Sequence, residues 1–238
     1  KKVRTFYEES PYPRWRYGTP YKKIANSVIQ VINNEIKPNH ISQRLADEQL
    51  KVLIAGCGTG TQILQSQRYI NAKITAIDLS SASLAYAQRK VNEMGINNVN
   101  IIQMDLLEVS LLKEKFDIIE CSGVLVCIED PLKGLQALLG NLKNDGFLKL
   151  GLYSELARQD VVKARDFLER KSIKFNMKNM RSFREKIISG TSPKEISLKQ
   201  FSDFYTTSMC RDLCFHIQEN RFTINQIRNI ITSNNLKF

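Results

Sequence analysis

Short apolar runs recur along the chain between residues 51 and 153, and stretches of mixed polarity separate them. Each run has the length and the apolar composition of a buried strand. The five predicted strands lie at residues 51–55 (KVLIA), 72–77 (AKITAI), 99–103, 116–121 and 147–153. Because helical stretches separate the strands, we expect parallel pairing and an α/β fold with a doubly wound, mostly parallel sheet. Ligands of such sheets lie beyond the carboxyl ends of the strands.

Capping and turn residues predict the remaining elements. Three helices are expected within the sheet region. The first covers 61–68, the second is capped by Ser80 and stops at Gly95, and the third runs from Pro131 to about 142. A turn is expected at 144–146. After the fifth strand, helical patterns cover 155–171, 178–188 and 198–205. The last part predicts a sixth strand at 212–218, a helix at 223–233, and at 236–238 a strand that the sequence cuts off.

These elements divide the chain into four parts. Residues 1–50 form a mostly helical segment that covers the ligand site, and residues 51–153 form the ligand-binding core. Residues 154–206 are a helical insertion or lid, and residues 207–238 complete the core. The chain begins with Lys1 rather than Met, which indicates a fragment of a longer protein.

Positive charge is concentrated in two segments that flank a neutral core. The chain has 238 residues and a formal net charge of +11, and residues 1–23 and 155–190 each contribute +5. A basic surface suits an acidic partner such as nucleic acid, an anionic membrane face or an acidic protein. The alternative is that these residues form solvated helix faces, and composition leaves both interpretations open.

The cysteines and apolar runs argue against several other protein classes. Five cysteines are an odd number, and three lie in strand-like runs, which is typical of reduced thiols in a cytoplasmic protein. No second cluster completes a four-ligand zinc site with Cys210, Cys214 and His216, so we predict no metal. The longest apolar stretch, 118–128, contains Glu120 and is too short to span a bilayer.

A glycine-rich loop, GCGTG at residues 56–60, directly follows the first strand. Glycines there allow a sharp turn and a close approach of the backbone to a ligand. The loop is not a dinucleotide fingerprint, because Thr61 stands where the third glycine belongs. It is not a phosphate-binding loop either, because no lysine follows it.

Four motifs in register resemble those of the class I S-adenosylmethionine (SAM) methyltransferases, which have a Rossmann-like fold. They are KVLIAGCGTG at 51–60, AIDLS at 76–80, QMDLL at 103–107 and FDIIECSGVL at 116–125. The resemblance implies SAM as the cofactor and S-adenosylhomocysteine as the product.

The resemblance also implies roles for individual residues. Asp78 would accept hydrogen bonds from the ribose hydroxyls, and Asp105 one from the adenine amino group. The remaining cofactor residues would be Leu79 and Leu106 at the adenine faces, Gly56, Cys57, Gly58, Thr59 and Gly60 beside the methionine part, and Cys121 and Ser122 near the sulfonium. Either aspartate is also a plausible helix cap.

Two positions depart from the family pattern. Ile54 stands where the first motif often carries an acid, so another group must contact the amino end of the cofactor. Val126 and Cys127 stand where the fourth motif often continues with His, so no histidine base is assigned there.

A narrower resemblance involves both ends of the chain. A bacterial methyltransferase subgroup, often fused to tetratricopeptide repeats, has segments similar to residues 12–15 (YPRW), 151–158 and 211–223. That subgroup is akin to rickettsial methyltransferases that act on lysines of outer-membrane proteins. It implies that Tyr12 and Trp15 close over SAM, that Arg14 pairs with its carboxylate, and that Tyr153 orients an acceptor amine. Trp15 as an N-terminal staple and Tyr153 as a core residue stay open as alternatives.

The resulting hypothesis is methyl transfer by in-line displacement, with Tyr12 and Tyr153 as catalytic candidates and a protein lysine as the acceptor. The basic insertion would select acidic protein segments. RNA and small-molecule acceptors remain alternatives, as does a catalytically inactive scaffold that binds a partner. A nicotinamide-dependent oxidoreductase is a further alternative.

Overall fold

The computed structural model describes residues 2–18, 27–42, 49–191 and 196–238. Its centre is a five-stranded parallel sheet with the order β3-β2-β1-β4-β5. The strands are β1 (Leu50–Ala55), β2 (Ala72–Asp78), β3 (Val99–Gln103), β4 (Phe116–Ser122) and β5 (Leu142–Gly151). This confirms the predicted α/β class and all five strands, and it places the change in strand order between β1 and β4.

Helices cover both faces of the sheet. The described helices are α1 (Lys2–Glu9), α2 (Val28–Glu35), α3 (Thr61–Ser66), α4 (Ser81–Glu93), α5 (Pro131–Asn141), α6 (Gln159–Arg170), α7 (Met177–Ile188), α8 (Thr207–Phe215) and α9 (Ile224–Ser233). On one face, α2, α3 and α4 pack on Val52, Ile54 and Ile74. On the other face, α5 packs on the alternate side chains, such as Leu53 and Ile119. Strands buried on both faces explain the continuous apolar runs in the sequence.

Residues after β5 form a helical unit with a core of its own. Helices α6, α7 and α8 enclose a buried cluster that includes Val161, Met180, Phe204 and Leu213. The predicted helices at 155–171 and 178–188 are confirmed in shortened form, as α6 and α7. Helix α8 packs in this unit, although the sequence analysis assigned residues 207–238 to the core. The four-part division of the chain stays a prediction.

Three predicted elements differ from the structure. Residues 212–218 are not a strand: Thr206 caps α8 by accepting from Met209 N–H, and the helix runs to Phe215. The predicted helix at 198–205 is reduced to a 3₁₀ turn at Ser202–Phe204. Residues 236–238 form no strand. In α8 the apolar side chains pack within a helical core, so alternation over a few residues was a misleading signal.

Strand β5 begins earlier and ends earlier than predicted. Phe116 pairs with Leu142, whereas Ile118 pairs with Phe147, so residues 143–146 bulge from the ladder. The predicted turn at 144–146 is this bulge. The strand ends at Gly151, which leaves Tyr153 in the connection that follows.

The helical unit is joined to the core by a segment that returns after α8. Phe222 N–H donates to the carbonyl O of Tyr153 over 2.8 Å, and Asn220 N–H donates to that of Val126 over 2.7 Å. Glu219 in this segment has a buried side chain and forms ion pairs with three guanidinium groups: those of Arg158, Arg165 and Arg221, at 2.5, 3.6 and 3.4 Å.

None of the helices in the described part of the chain has the length and apolarity needed to cross a membrane.

We expect Glu219→Gln to destabilise the protein, because it removes the carboxylate that forms ion pairs with the largely buried guanidinium groups of Arg158 and Arg165. Removing one partner of a buried ion pair costs about 3–5 kcal/mol. Urea unfolding measures the change, with Glu169→Gln as the control, since Glu169 is an exposed acid on α6. Equal free energies of unfolding for the two variants would contradict the proposed role of Glu219.

Candidate active site

A cavity of about 450 Å³ lies at the carboxyl edge of the sheet. The loop after β1 and the carboxyl ends of β2 and β4 with the loops after them contribute to its lining. Helices α1, α3 and α8, the N-terminal segment, β5 and the connection after β5 contribute further residues. The volume is in the range of small-molecule pockets. Its position beside the change in strand order is where open α/β sheets bind ligands.

The glycine loop packs tightly against the N-terminal segment. Gly58 has a φ of +52°, and a Cβ there would lie 2.6 Å from the carbonyl O of Tyr12. The same oxygen accepts a hydrogen bond from Thr59 N–H over 3.3 Å. Glycine is therefore required at position 58 for the N-terminal segment to pack against the loop. Gly58 also lines the cavity.

Asp78 links the glycine loop to the start of α4. Its Oδ2 accepts from Gly58 N–H over 2.8 Å, and its Oδ1 accepts from Ser80 N–H over 2.9 Å. The residue lines the cavity, and burial raises the pKa of its carboxyl. Each carboxylate oxygen can accept a second hydrogen bond, so the group retains capacity for ribose hydroxyls.

Asp105 also lines the cavity, together with the two leucines predicted to contact adenine. Asp105 Oδ1 accepts from Leu107 N–H over 3.0 Å and so caps the 3₁₀ segment Leu106–Leu112. Leu79 and Leu106 line the cavity beside it. The helix-cap interpretation of Asp105 is thus correct, and it is compatible with a ligand contact through the remaining acceptor positions.

The structure also brings Gly56, Cys57 and Ser122 into the lining, but it places Cys121 elsewhere. Cys121 is fully buried in the core on the opposite face of the sheet. Successive residues of a strand point to opposite faces, so Ser122 and Cys121 cannot both face the cavity.

Four further predicted cofactor residues lie outside the lining. Arg14 is exposed and does not line the cavity, so its predicted contact with the cofactor carboxylate stays a prediction. Trp15 donates from Nε1 to the carbonyl O and Oγ1 of Thr59, each over 3.2 Å, and thereby anchors the N-terminal segment. Thr59 is fully buried in this contact, and Gly60 packs against Ala87 of α4. Trp15, Thr59 and Gly60 thus pack the segments around the cavity against one another and do not line it.

Aromatic rings form another part of the cavity lining. Tyr12 and Tyr153 both line the cavity, and Tyr7 of α1 joins them. The Tyr7 and Tyr12 ring centroids are 6.5 Å apart, and the Arg158 guanidinium lies 4.0 Å from the Tyr153 ring centroid. Burial raises the pKa of all three phenols, so they stay protonated near neutral pH.

Asp212 is a functional candidate that the sequence-based prediction missed. It lines the cavity from α8, its side chain is largely buried, and Oδ1 accepts from Tyr7 OH over 2.8 Å. Burial raises the pKa of its carboxyl to about 6, although the hydrogen bond from Tyr7 opposes this shift. The sequence signals were an acid placed in an apolar run and its position in the segment 211–223 that resembles the bacterial subgroup.

His216, which the sequence places near Cys210 and Cys214, is unsuited to act as a catalytic base. It is buried beside Phe6 and Tyr7 at the end of α8, outside the cavity lining. Burial lowers the pKa of its imidazole to about 4.

The cavity lining carries four carboxyl groups and a single cationic side chain among the described residues: Asp78, Asp105, Glu120, Asp212 and Lys149. This acidic interior contrasts with the net charge of +11 for the whole chain. Opposite charge within a low-dielectric cleft attracts cationic ligands. The SAM sulfonium and the side chain of lysine are both cations, so the residues present fit such ligands.

Comparison with known proteins agrees with the motifs. Residues 52–146 match the family described as Methyltransferase domain. An uncharacterized protein of Synechococcus is 38% identical over 117 residues, which cover 47% of this chain and 27% of that protein. The malonyl-[acyl-carrier protein] O-methyltransferase of Acetivibrio thermocellus is 28% identical over 142 residues, which cover 59% of this chain and 45% of that enzyme. The chain thus spans about a quarter to a half of these relatives.

Among solved structures, PKMT2 from Rickettsia typhi has a similar fold, with a TM-score of 0.62 and 20% identity. The match covers 78% of this chain and 38% of that one. That protein has also been solved in complex with AdoHcy. Residues 52–146 therefore match a methyltransferase domain, and the motifs within them resemble those of the class I SAM-dependent methyltransferases.

Proposed function

We propose that this protein methylates an amine on a protein substrate, namely the side chain of a lysine. The observation that carries the proposal is the acceptor end of the cavity, where Tyr7, Tyr12 and Tyr153 surround the buried carboxyl of Asp212. Aromatic faces and a carboxylate are the groups that attract an ammonium.

The nucleoside end suits SAM. Asp78 would hold the ribose hydroxyls, Asp105 the adenine amino group, and the leucines beside them the adenine ring. When bound, SAM supplies a methyl group: the acceptor nitrogen bonds to its carbon as the carbon–sulfur bond breaks, the sulfur keeps the electron pair, and S-adenosylhomocysteine is released.

The side chains at the acceptor end prepare the amine for this reaction. A lysine ammonium has no free lone pair and must lose a proton before it can attack. Ionised Asp212 would accept that proton. Tyr153 and Tyr12 would orient the nitrogen and exclude water, which matters because the reaction depends mainly on positioning.

The charge of the cavity favours an amine over the acceptors of the curated relatives. The malonyl group in the name of one relative carries a carboxylate, which the four carboxyl groups of this lining would repel. RNA phosphates would be repelled for the same reason. The fold neighbour PKMT2 and the resemblance to rickettsial lysine methyltransferases support the same choice. The basic segment 155–190 would select acidic sequence around the target lysine.

Asp78→Asn is expected to weaken binding of S-adenosylhomocysteine by about 10- to 100-fold, because a hydrogen bond to a charged group contributes about 1.5–3 kcal/mol. Isothermal titration calorimetry measures the change. Asp145→Asn is the matched control, since Asp145 is exposed and lies outside the cavity. An unchanged affinity for Asp78→Asn would refute the assignment of the ribose contact.

Incubation of the protein and tritiated SAM with a bacterial lysate tests the acceptor class. We expect label in protein that survives mild base and is recovered as methyl-lysine after acid hydrolysis, and we expect Asp78→Asn to reduce it. Base-labile label would indicate a methyl ester instead. Label confined to RNA or small molecules would contradict a protein acceptor.

The pH dependence of kcat/KM tests Asp212. Its carboxyl accepts a proton only when ionised, so the rate should fall below pH about 6 in addition to the fall caused by protonation of the lysine. Asp212→Asn should remove the component near pH 6 and slow the reaction by about 10²-fold or more. The charged and titratable groups that act on Asp212 are Tyr7, Tyr12, Cys127, Tyr153, Arg158, Asp203 and Glu219.

Asp166→Asn is the control for this profile, because Asp166 is an exposed acid of α6. A profile for Asp212→Asn that keeps the same bend near pH 6 would show that another group accepts the proton.

A further inference from the structure

The acid expected near the end of β1 is replaced by a carboxyl on the neighbouring strand. Ile54 occupies the β1 position, and its side chain is fully buried in the core. Glu120 of β4 is the direct register partner of Ile54. Unlike Ile54, Glu120 lines the cavity.

Glu120 is held in place by a chain of alternating charges. Its Oε1 accepts from Arg68 Nη2 over 2.5 Å and from Tyr69 OH over 2.6 Å. Arg68 also pairs with Glu35 at 3.3 Å, and Glu35 pairs with Lys149 at 2.7 Å. The side chain of Glu120 is only 4% exposed, so this network fixes a buried carboxyl against the cavity.

Gln62, in the first turn of α3, places an unpaired acceptor in the same lining. Its Nε2 donates to the carbonyl O of Ser122 over 3.3 Å, and this contact fixes which way the amide points. Its Oε1 is buried and has no hydrogen-bond partner. A buried acceptor without a donor is unfavourable, so a ligand that supplies an N–H group would relieve it.

This part of the lining is complementary to a zwitterion. Gln62 Oε1 and the Glu120 carboxylate accept hydrogen bonds, and Lys149 supplies the single positive charge in the described lining. The methionine end of SAM carries an ammonium and a carboxylate. Resting on the proposed function, we propose that Gln62 and Glu120 bind the ammonium of the cofactor and that Lys149 binds its carboxylate.

This assignment gives the amino-acid end of the cofactor different partners from those the sequence implied. Glu120 takes the part of the missing acid at Ile54, and Lys149 takes that of Arg14, because Lys149 lines the cavity and Arg14 does not. Gln62 and Glu120 act here as binding and positioning residues, because they hold the cofactor and do not touch the acceptor.

Two nucleosides test the assignment by calorimetry, independently of activity. S-adenosylhomocysteine has the amino-acid group, and 5′-methylthioadenosine lacks it but keeps the adenosine and the thioether. Gln62→Met should weaken binding of S-adenosylhomocysteine by about 5-fold or more and leave that of methylthioadenosine unchanged. Glu120→Gln should weaken the first ligand by about 10- to 100-fold, again without affecting the second.

Gln88→Met is the matched control. Gln88 is an exposed glutamine of α4 and lies outside the cavity lining. The Gln88→Met protein should bind both nucleosides as the wild type does. Because Glu120→Gln leaves Arg68 without its buried partner, thermal unfolding must confirm that this variant folds; if it does not, Gln62→Met alone decides.

The outcomes separate this inference from the proposed function. If Gln62→Met, and Glu120→Gln where it folds, keep the wild-type preference for S-adenosylhomocysteine over methylthioadenosine, the assignment is overturned and the methyltransferase proposal stands. If the wild type binds neither nucleoside, the proposed function is overturned, and this assignment with it.

Discussion

The structure depends on the confinement of negative charge inside a positively charged molecule. Asp78, Glu120 and Asp212 are largely withdrawn from water at the carboxyl edge of the sheet, and burial raises the pKa of the first and last of these. Carboxyl groups in such a place are stabilised by hydrogen bonds from N–H and O–H donors, or by a bound cation. Backbone amides and Tyr7 supply part of that stabilisation, and a cationic ligand would supply more. The same field would disfavour anionic ligands, which is the reason for proposing a cationic acceptor.

Helix α1 connects the two halves that enclose this charge. Glu8 accepts from the N–H groups of Ser81 and Ala82, each over 2.9 Å, at the positive end of α4. The next residue, Glu9, pairs with Arg211 of α8 at 2.7 Å. Adjacent residues of one short helix thus bind the sheet domain and the helical unit. This placement brings Tyr7 over the cavity.

The sequence was informative where one physical requirement determined the pattern. Buried parallel strands must be apolar on both faces, so the five strands could be identified, and Asp78 and Asp105 could be located by their places at strand ends. It was less informative where distant segments meet. Trp15 could not be recognised as an anchor for Thr59 without the fold, and the helical unit turned an apparent strand into α8.

The missed acids illustrate the same limit. Glu120 interrupts an apolar run two residues before Ser122, and strand alternation places both on one face. Applying that rule to the fourth motif would have selected Glu120 and rejected Cys121. Gln62 and Asp212 offered no comparable pattern, because their importance comes from an unpaired oxygen and from burial, which only the packed chain defines.

The two ends of the cavity come from different parts of the chain. The segment that matches the methyltransferase family, residues 52–146, contains the aspartates at the nucleoside end. The three tyrosines and Asp212 at the acceptor end all come from outside it. Under the proposed function, the segment shared with the methyltransferase family would bind the methyl donor, and the flanking segments would select the acceptor. Similarity confined to the shared segment therefore does not identify the acceptor.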